Sequence, residues 1–184
     1  NGISPAKAIS RIIEFCRKNE SDDEDPDFRL VTVIHILLGE EAFGTAPGKA
    51  RVLLTLRTPE NKTMEKLAKR IKEGIGNIAS EEKLECCMDF TEEFPATINA
   101  PEYVNFIRDA ANESKLLVLE MEEPFRWSED FGHYLMHHKG AFFGLGAGED
   151  HPQLHNPDYD FPDEIMVSGI KIFYALYKML LFEK

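Results

Sequence analysis

The stretch SEDFGHYLMHHKGAFFGLGAGEDHPQLHNPDYDFP, residues 128–162, decides how the chain is read. It holds five of the six histidines, His133, His137, His138, His151 and His155, and a glycine-spaced apolar run from Gly140 to Gly148. Imidazole is the commonest metal-ligating side chain and the one that titrates nearest neutral pH. A crowd of imidazoles beside a tight, glycine-rich strand end is therefore where chemistry is expected first. Ser128 reads as an N-cap, with Glu129 and Asp130 favourably placed against the helix dipole, and the helix is expected to run to about His138. His133 and His137 share a face at the spacing of a zinc-binding H-E-x-x-H helix. Tyr134 stands where the general-base glutamate belongs, so the two read as surface or rim residues. Ala141 to Leu145 reads as a strand. The Gly144-x-Gly146-x-Gly148 pattern is not a dinucleotide loop, because Glu149-Asp150-His151-Pro152 follows it instead of a helix. These glycines instead let backbone approach a ligand or another strand.

Upstream, Ser4-Pro5 caps a helix whose apolar positions Ala8, Ile9, Ile12, Ile13 and Cys16 recur at helical spacing, to end near Arg17 or Lys18. The acidic run Glu20 to Asp27, broken by Pro26, lacks the alternating ligands and glycine turn of a calcium loop and reads as solvated. Arg29 to Leu38 and Arg51 to Thr58 are two strands, antiparallel because the link between them is short. Thr58-Pro59-Glu60 opens a second helix with the stripe Met64, Leu67, Ala68, Ile71, Ile75 and Ile78, its last turns weakened by Gly74 and Gly76. Leu84 to Phe90 reads as a third strand, and the Glu92-Glu93 pair after it as a solvated edge. Residues 1–98 thus read as an αββαβ unit, a ferredoxin-like split βαβ fold without its first strand. With no initiator methionine, the chain is expected to start in the middle of a domain.

Pro95, Asn99 and Pro101 punctuate a boundary, and residues 99–184 form the second region. Pro101 opens a helix directing Tyr103, Val104, Phe106, Ile107 and Ala110 to a core. Leu116 to Met121 is a short apolar strand ended by Pro124. Asp160 to Pro162 starts the last helix, with Ile165, Met166, Gly169, Ile170, Phe173, Tyr174, Tyr177 and Leu180 as its core-packing face.

An apolar fraction of 43% and a charged fraction of 29% describe a soluble globular protein with a real core. A formal net charge of -12 argues against a nucleic-acid partner, which needs clustered lysine and arginine. The three cysteines Cys16, Cys86 and Cys87 make no disulfide framework and no C-x-x-C zinc spacing; buried free thiols in a reducing, cytoplasmic compartment are expected. The longest apolar run, from Ile165 to Phe182, carries Lys171 and Lys178, so no membrane span is expected.

Taken together, Ser128-Glu129-Asp130-Phe131, the Gly140 to Gly146 strand, Leu154-His155-Asn156-Pro157 and Tyr159-Asp160-Phe161 before a terminal helix resemble the C-terminal signature of the zinc aminoacylase and carboxypeptidase metallopeptidases (family twenty, clan MH). Within that family the chain most resembles the amidohydrolase subgroup of hippurate hydrolase, N-acetyl-amino-acid deacetylases and indoleacetyl-amino-acid hydrolases. Gly2-Ile3-Ser4-Pro5-Ala6 and Ala46-Pro47-Gly48 through Leu56-Arg57-Thr58 resemble segments of that family's lid domain. The resemblance implies a lid, usually dimerising, at residues 1–98, and the C-terminal part of an α/β catalytic domain at residues 99–184. It implies that His155 is a ligand of one of two divalent ions, most simply zinc, and that Gly144 and Gly146 lie on the substrate side. The implied reaction is hydrolysis of N-acyl amino acids or dipeptide-like amides: two ions share and activate a water, and a glutamate moves the proton. The remaining ligands and that glutamate have no counterpart in this sequence. The chain alone is therefore expected to be inactive and to need the missing N-terminal half. The alternative is a catalytically inactive lid-type dimerisation or binding module.

Overall fold

The structure is a computed structural model that describes residues 2–21, 25 and 28–182. It has the expected mixed α/β architecture and divides into two compact units, Asn1–Ala96 and Thr97–Lys184.

The first unit is built from α1 (Ala6–Arg17), β1 (Leu30–Leu38), β2 (Ala50–Arg57) and α2 (Asn61–Glu81). The Ser4 hydroxyl accepts the Ala6 N–H at 3.3 Å, as the capping pattern predicts, although the helix begins one residue later than Pro5. Both helices are amphipathic, and their stripes meet one face of the sheet. Ala8, Ile9, Ile12 and Cys16 of α1 and Leu67, Ile71, Ile75 and Ile78 of α2 form one core with Val31. Each fully buried Leu or Ile there contributes about 1.5–3 kcal/mol. β1 and β2 pair antiparallel from Leu30 opposite Arg57 to Leu38 opposite Ala50, with a bulge between Val33 and His35. Past the bulge the hairpin carries Ile34, Ile36, Leu37 and Leu38 in exposed positions. Gly39, at φ +66°, donates its N–H to the Lys49 carbonyl at 2.9 Å and closes the hairpin loop. The acidic-run reading falls at positions 22–24, 26 and 27 outside the described residues.

Gly74 does not weaken α2. A side chain there would sit 2.1 Å from the Phe15 ring, so the glycine lets α1 and α2 approach closely, and packing overrides propensity. α2 then ends in a Schellman cap: Lys83 takes φ +59°, and the Leu84 and Lys83 N–H groups donate to Ala79 and Ser80. Residues 84–90 form no strand, contrary to the sequence reading. Leu84 and Met88 do pack on the core, but no neighbouring edge pairs their backbone among the described residues. Without a covering layer, Cys86 and Cys87 are exposed rather than buried, and only Cys16 is inside.

The second unit contains α3 (Pro101–Glu113), α4 (Gly132–Leu135) and α5 (Ile165–Phe182). α3 ends in the same Schellman cap as α2, with Lys115 at φ +54° and Leu116 N–H donating to Ala111. The core is Ala110, Ile172 and Ala175, flanked by Leu116, Phe143, Leu145, Leu176 and Met179. Three expectations fail here. Residues 116–121 and 141–145 are not ladder strands. The helix expected from Ser128 is a single turn, because its region buries only Gly132 and leaves Tyr134 and Met136 exposed; a helix with no apolar face to pack does not propagate. Finally, the broad apolar face read for α5 is not the buried one: Ile172 and Ala175 are inside, whereas Met166, Ile170, Phe173, Tyr174, Tyr177 and Leu180 are exposed.

Candidate functional site

The 128–162 window is tied to the segment before and at the start of α3, most closely through Asn99. The Asn99 carboxamide donates from Nδ2 to the Phe142 carbonyl and accepts the Phe142 N–H on Oδ1, both at 2.8 Å. It thereby makes the two bonds a paired strand residue would make. The Ala100 N–H adds a bond to the Gly140 carbonyl at 2.9 Å, and Lys139 reaches Glu102 at 2.8 Å. The glycine-rich segment is thus fastened to the start of α3. Through this hydrogen bond the Glu102 carboxylate raises the pKa of Lys139, and the Lys139 ammonium lowers that of Glu102. The sequence reading took Asn99 as boundary punctuation. Its only sequence signal is an amide side chain at a break just before a Pro-opened helix.

Within the segment the glycines differ. A side chain on Gly144 would meet the Phe125 ring at 3.0 Å, and Phe125 stacks on Trp127 at 4.1 Å. The space beside Gly144 therefore belongs to an aromatic pair, whereas Gly146 faces open space. Gly169 lets α5 approach Leu145, whose methyl lies 3.4 Å from where a side chain would start.

The five histidines do not converge. His137 and His138 line a cleft of about 500 Å³ with Asn99, Pro101 and Leu135. His151 lines a second cleft of about 350 Å³ with Leu145, Gly148, Leu154 and Tyr159, its ring edge-on to Tyr159 at 5.2 Å. His155 is exposed and lines neither. It occupies φ +71° in a tight turn, where Asn156 N–H donates to the Gln153 carbonyl and Tyr159 N–H to the Asn156 carbonyl. A histidine at positive φ is uncommon and is held there by its surroundings. Among the described residues no group of three His, Cys, Asp or Glu side chains comes together closely enough to hold a metal ion. The residues present therefore do not fit a metal centre by themselves: such sites use at least three protein ligands, and His155 is at most one.

Comparison with known proteins gives this incomplete arrangement its context. IAA-amino acid hydrolase ILR1-like 4 of Arabidopsis thaliana is 28% identical over 180 residues, 92% of this chain and 41% of that protein. Hippurate hydrolase of Campylobacter jejuni is 26% identical over 174 residues, 94% of this chain and 45% of that protein. The Bacillus subtilis YXEP protein, described as a dinuclear metal binding peptidase from M20 family, shares the fold. Its TM-score is 0.72 at 19% identity, over 97% of this chain and 47% of that one. The chain thus spans less than half the length of these relatives. The match to Peptidase family M20/M25/M40 runs from residue 9 to residue 179, through both units and across the His155 turn, and the chain belongs to that family.

Proposed function

We propose that this chain is the lid and C-terminal catalytic portion of a metal-dependent amidohydrolase acting on N-acyl amino acids or dipeptide-like amides. The family match over residues 9–179 carries the reading. The names of two relatives, a hippurate hydrolase and an IAA-amino acid hydrolase, support the substrate class, and the dinuclear neighbour supports divalent ions, with zinc the simplest choice. In this reading His155 is one ligand of a centre whose other ligands and general base come from the portion that the relatives have beyond the matched stretch. Gly144 and Gly146 lie on its substrate side, Gly146 being the one with open space. The residues here do not fit a metal centre alone, so no catalytic step is assigned to them, and the isolated chain is inactive.

The first unit is the lid, and its two-stranded sheet, joined by no third strand among the described residues and exposing Ile34, Ile36 and Leu37, suits homodimer formation by edge pairing. Localisation is cytoplasmic, in keeping with three free cysteines.

The absence of a three-ligand cluster among the described residues favours one second reading, a lid-type dimerisation or binding module without chemistry. Hydrolysis of hippurate and of N-acetyl amino acids separates the two. The chain alone should release no amino acid. The chain joined to the N-terminal portion of the Bacillus subtilis relative should do so with divalent metal present, and lose that activity on His155→Ala. Release by the isolated chain, or activity of the joined chain that survives His155→Ala, would refute the assignment.

A further inference from the structure

Cys86 and Cys87 stand side by side on the first unit, apart from every residue of the site described above. Both thiols are free and exposed. They are presented at a fixed place: the Leu84 N–H donates to the Ala79 carbonyl at 2.9 Å in the cap of α2, and Leu84 and Met88 pack on the core on either side of the pair. In a strand the two side chains would point to opposite faces. The sheet holds β1 and β2 alone among the described residues, so no ladder imposes that alternation on residues 84–90. The Cys86 Sγ lies 4.0 Å from the Cys87 carbonyl oxygen, turned along the chain toward its neighbour.

What such a pair can hold follows from its spacing and its surroundings. Neighbouring Cα atoms are about 3.8 Å apart, short of the range of about 4.4–6.8 Å that disulfides span. A direct S–S bond is therefore strained, and one atom placed between the sulfurs relieves the strain. No group of three His, Cys, Asp or Glu side chains forms among the described residues, so the pair cannot complete the protein ligand set of a structural zinc site. Peroxide sensing uses a thiolate stabilised below its usual pKa, whereas burial and then the charge of Cys87 raise the pKa of Cys86. The occupant that fits takes two sulfurs, asks for no third protein ligand, and reacts with thiols that are still protonated. A trivalent arsenic centre carrying one organic group meets these conditions. It is soft, as thiols are, and uncharged, so the chain's net charge of -12 does not repel it.

We propose that Cys86-Cys87 is a vicinal dithiol site for trivalent arsenicals of the type R–As(OH)2. Two As–S bonds replace the two As–O bonds, and the two thiol protons leave with the hydroxyl groups as two molecules of water. Arsenic stays trivalent, so no oxidant or reductant takes part. The site does not depend on the hydrolytic function proposed above.

Phenylarsine oxide, which hydrates to this form in water, tests the site on the native chain. One equivalent should add one phenylarsenic group per chain, read by intact mass, and should remove both iodoacetamide-reactive thiols together. Cys16, which is buried, should be alkylated only after denaturation. The second As–S bond closes within the chain, so the group should withstand millimolar glutathione and leave with ethanedithiol. Cys86→Ser or Cys87→Ser, both at exposed positions, should weaken retention against glutathione at least about a hundredfold. Unchanged retention in either single variant would overturn the proposal, as would two phenylarsenic groups on one chain or one group joining two chains. Binding that begins only in denaturant would show that the native fold keeps the sulfurs apart, and would overturn it equally.

Discussion

Asn99→Ala removes the two side-chain bonds that tie the glycine-rich segment to the start of α3 and leaves the other ties in place. Two hydrogen bonds to Phe142 disappear, each 2.8 Å long. A net contribution of about 0.5–1.5 kcal/mol per bond applies, and the exposure of Asn99 favours the lower half of that range. The expected loss is about 1–2 kcal/mol, while the Ala100 to Gly140 bond remains. Asn99→Asp keeps an acceptor for the Phe142 N–H but sets a carboxylate against the Phe142 carbonyl, so it should cost at least as much as alanine. The assay is selective, because the single tryptophan, Trp127, lies in the second unit and stacks on Phe125 beside Gly144. For a unit of this size the tryptophan-detected melting temperature should fall by about 4–12 °C. Exchange of the Phe142 amide should accelerate, while exchange of the α2 amides in the first unit should be unaffected. A Trp127-detected transition and a Phe142 amide both unchanged in Asn99→Ala would show that the carboxamide holds nothing.

Gly74→Ala should destabilise the first unit by about 1–2 kcal/mol: a gain of about 1 kcal/mol in helix propensity is outweighed by overlap with the Phe15 ring at 2.1 Å. The sign should reverse in a Phe15→Ala background, and a stabilising Gly74→Ala alone would contradict the packing account. Lys83→Gly and Lys115→Gly should each raise the melting temperature of their own unit, by about 1 kcal/mol of stability, because both lysines hold the left-handed position of a Schellman cap; a loss at either site would contradict the cap assignment. Iodoacetamide on the native chain should label Cys86 and Cys87 and spare Cys16, which is fully buried and whose thiol burial pushes up from 9.0 to about 11. The unfolded thiol loses its proton first, so stability is full below pH 9.0 and should fall as pH rises towards about 11. Labelling of Cys16 before unfolding would contradict this.

Period and capping made the helices and the hairpin legible, because α1, β1, β2 and α2 bury their own stripes within the unit. The same signals misplaced what depends on a neighbour. The apolar character of 84–90, 116–121 and 141–145 marks them as strand candidates, but does not tell whether another edge lies beside the backbone. None of the three is a ladder strand among the described residues. On α5 the sequence found the broadest apolar face correctly as an apolar face, yet the buried side is the narrower one carrying Ile172 and Ala175. Gly74 read as a helix weakness because its reason, the Phe15 ring, lies on another helix. The histidine-rich window was found, but crowding in sequence did not become crowding in space, since His137, His151 and His155 stand in three separate settings. Asn99 escaped notice because its partner is 43 residues away.

Equilibrium dialysis of the chain alone against zinc, followed by elemental analysis, tests the central claim most directly. A single exposed imidazole at position 155, with no companion ligands among the described residues, should leave the protein with far less than one tightly held ion, and His155→Ala should change that little. One or two ions retained per chain would contradict the account, because the metal centre would then be complete without the portion the relatives carry beyond the match.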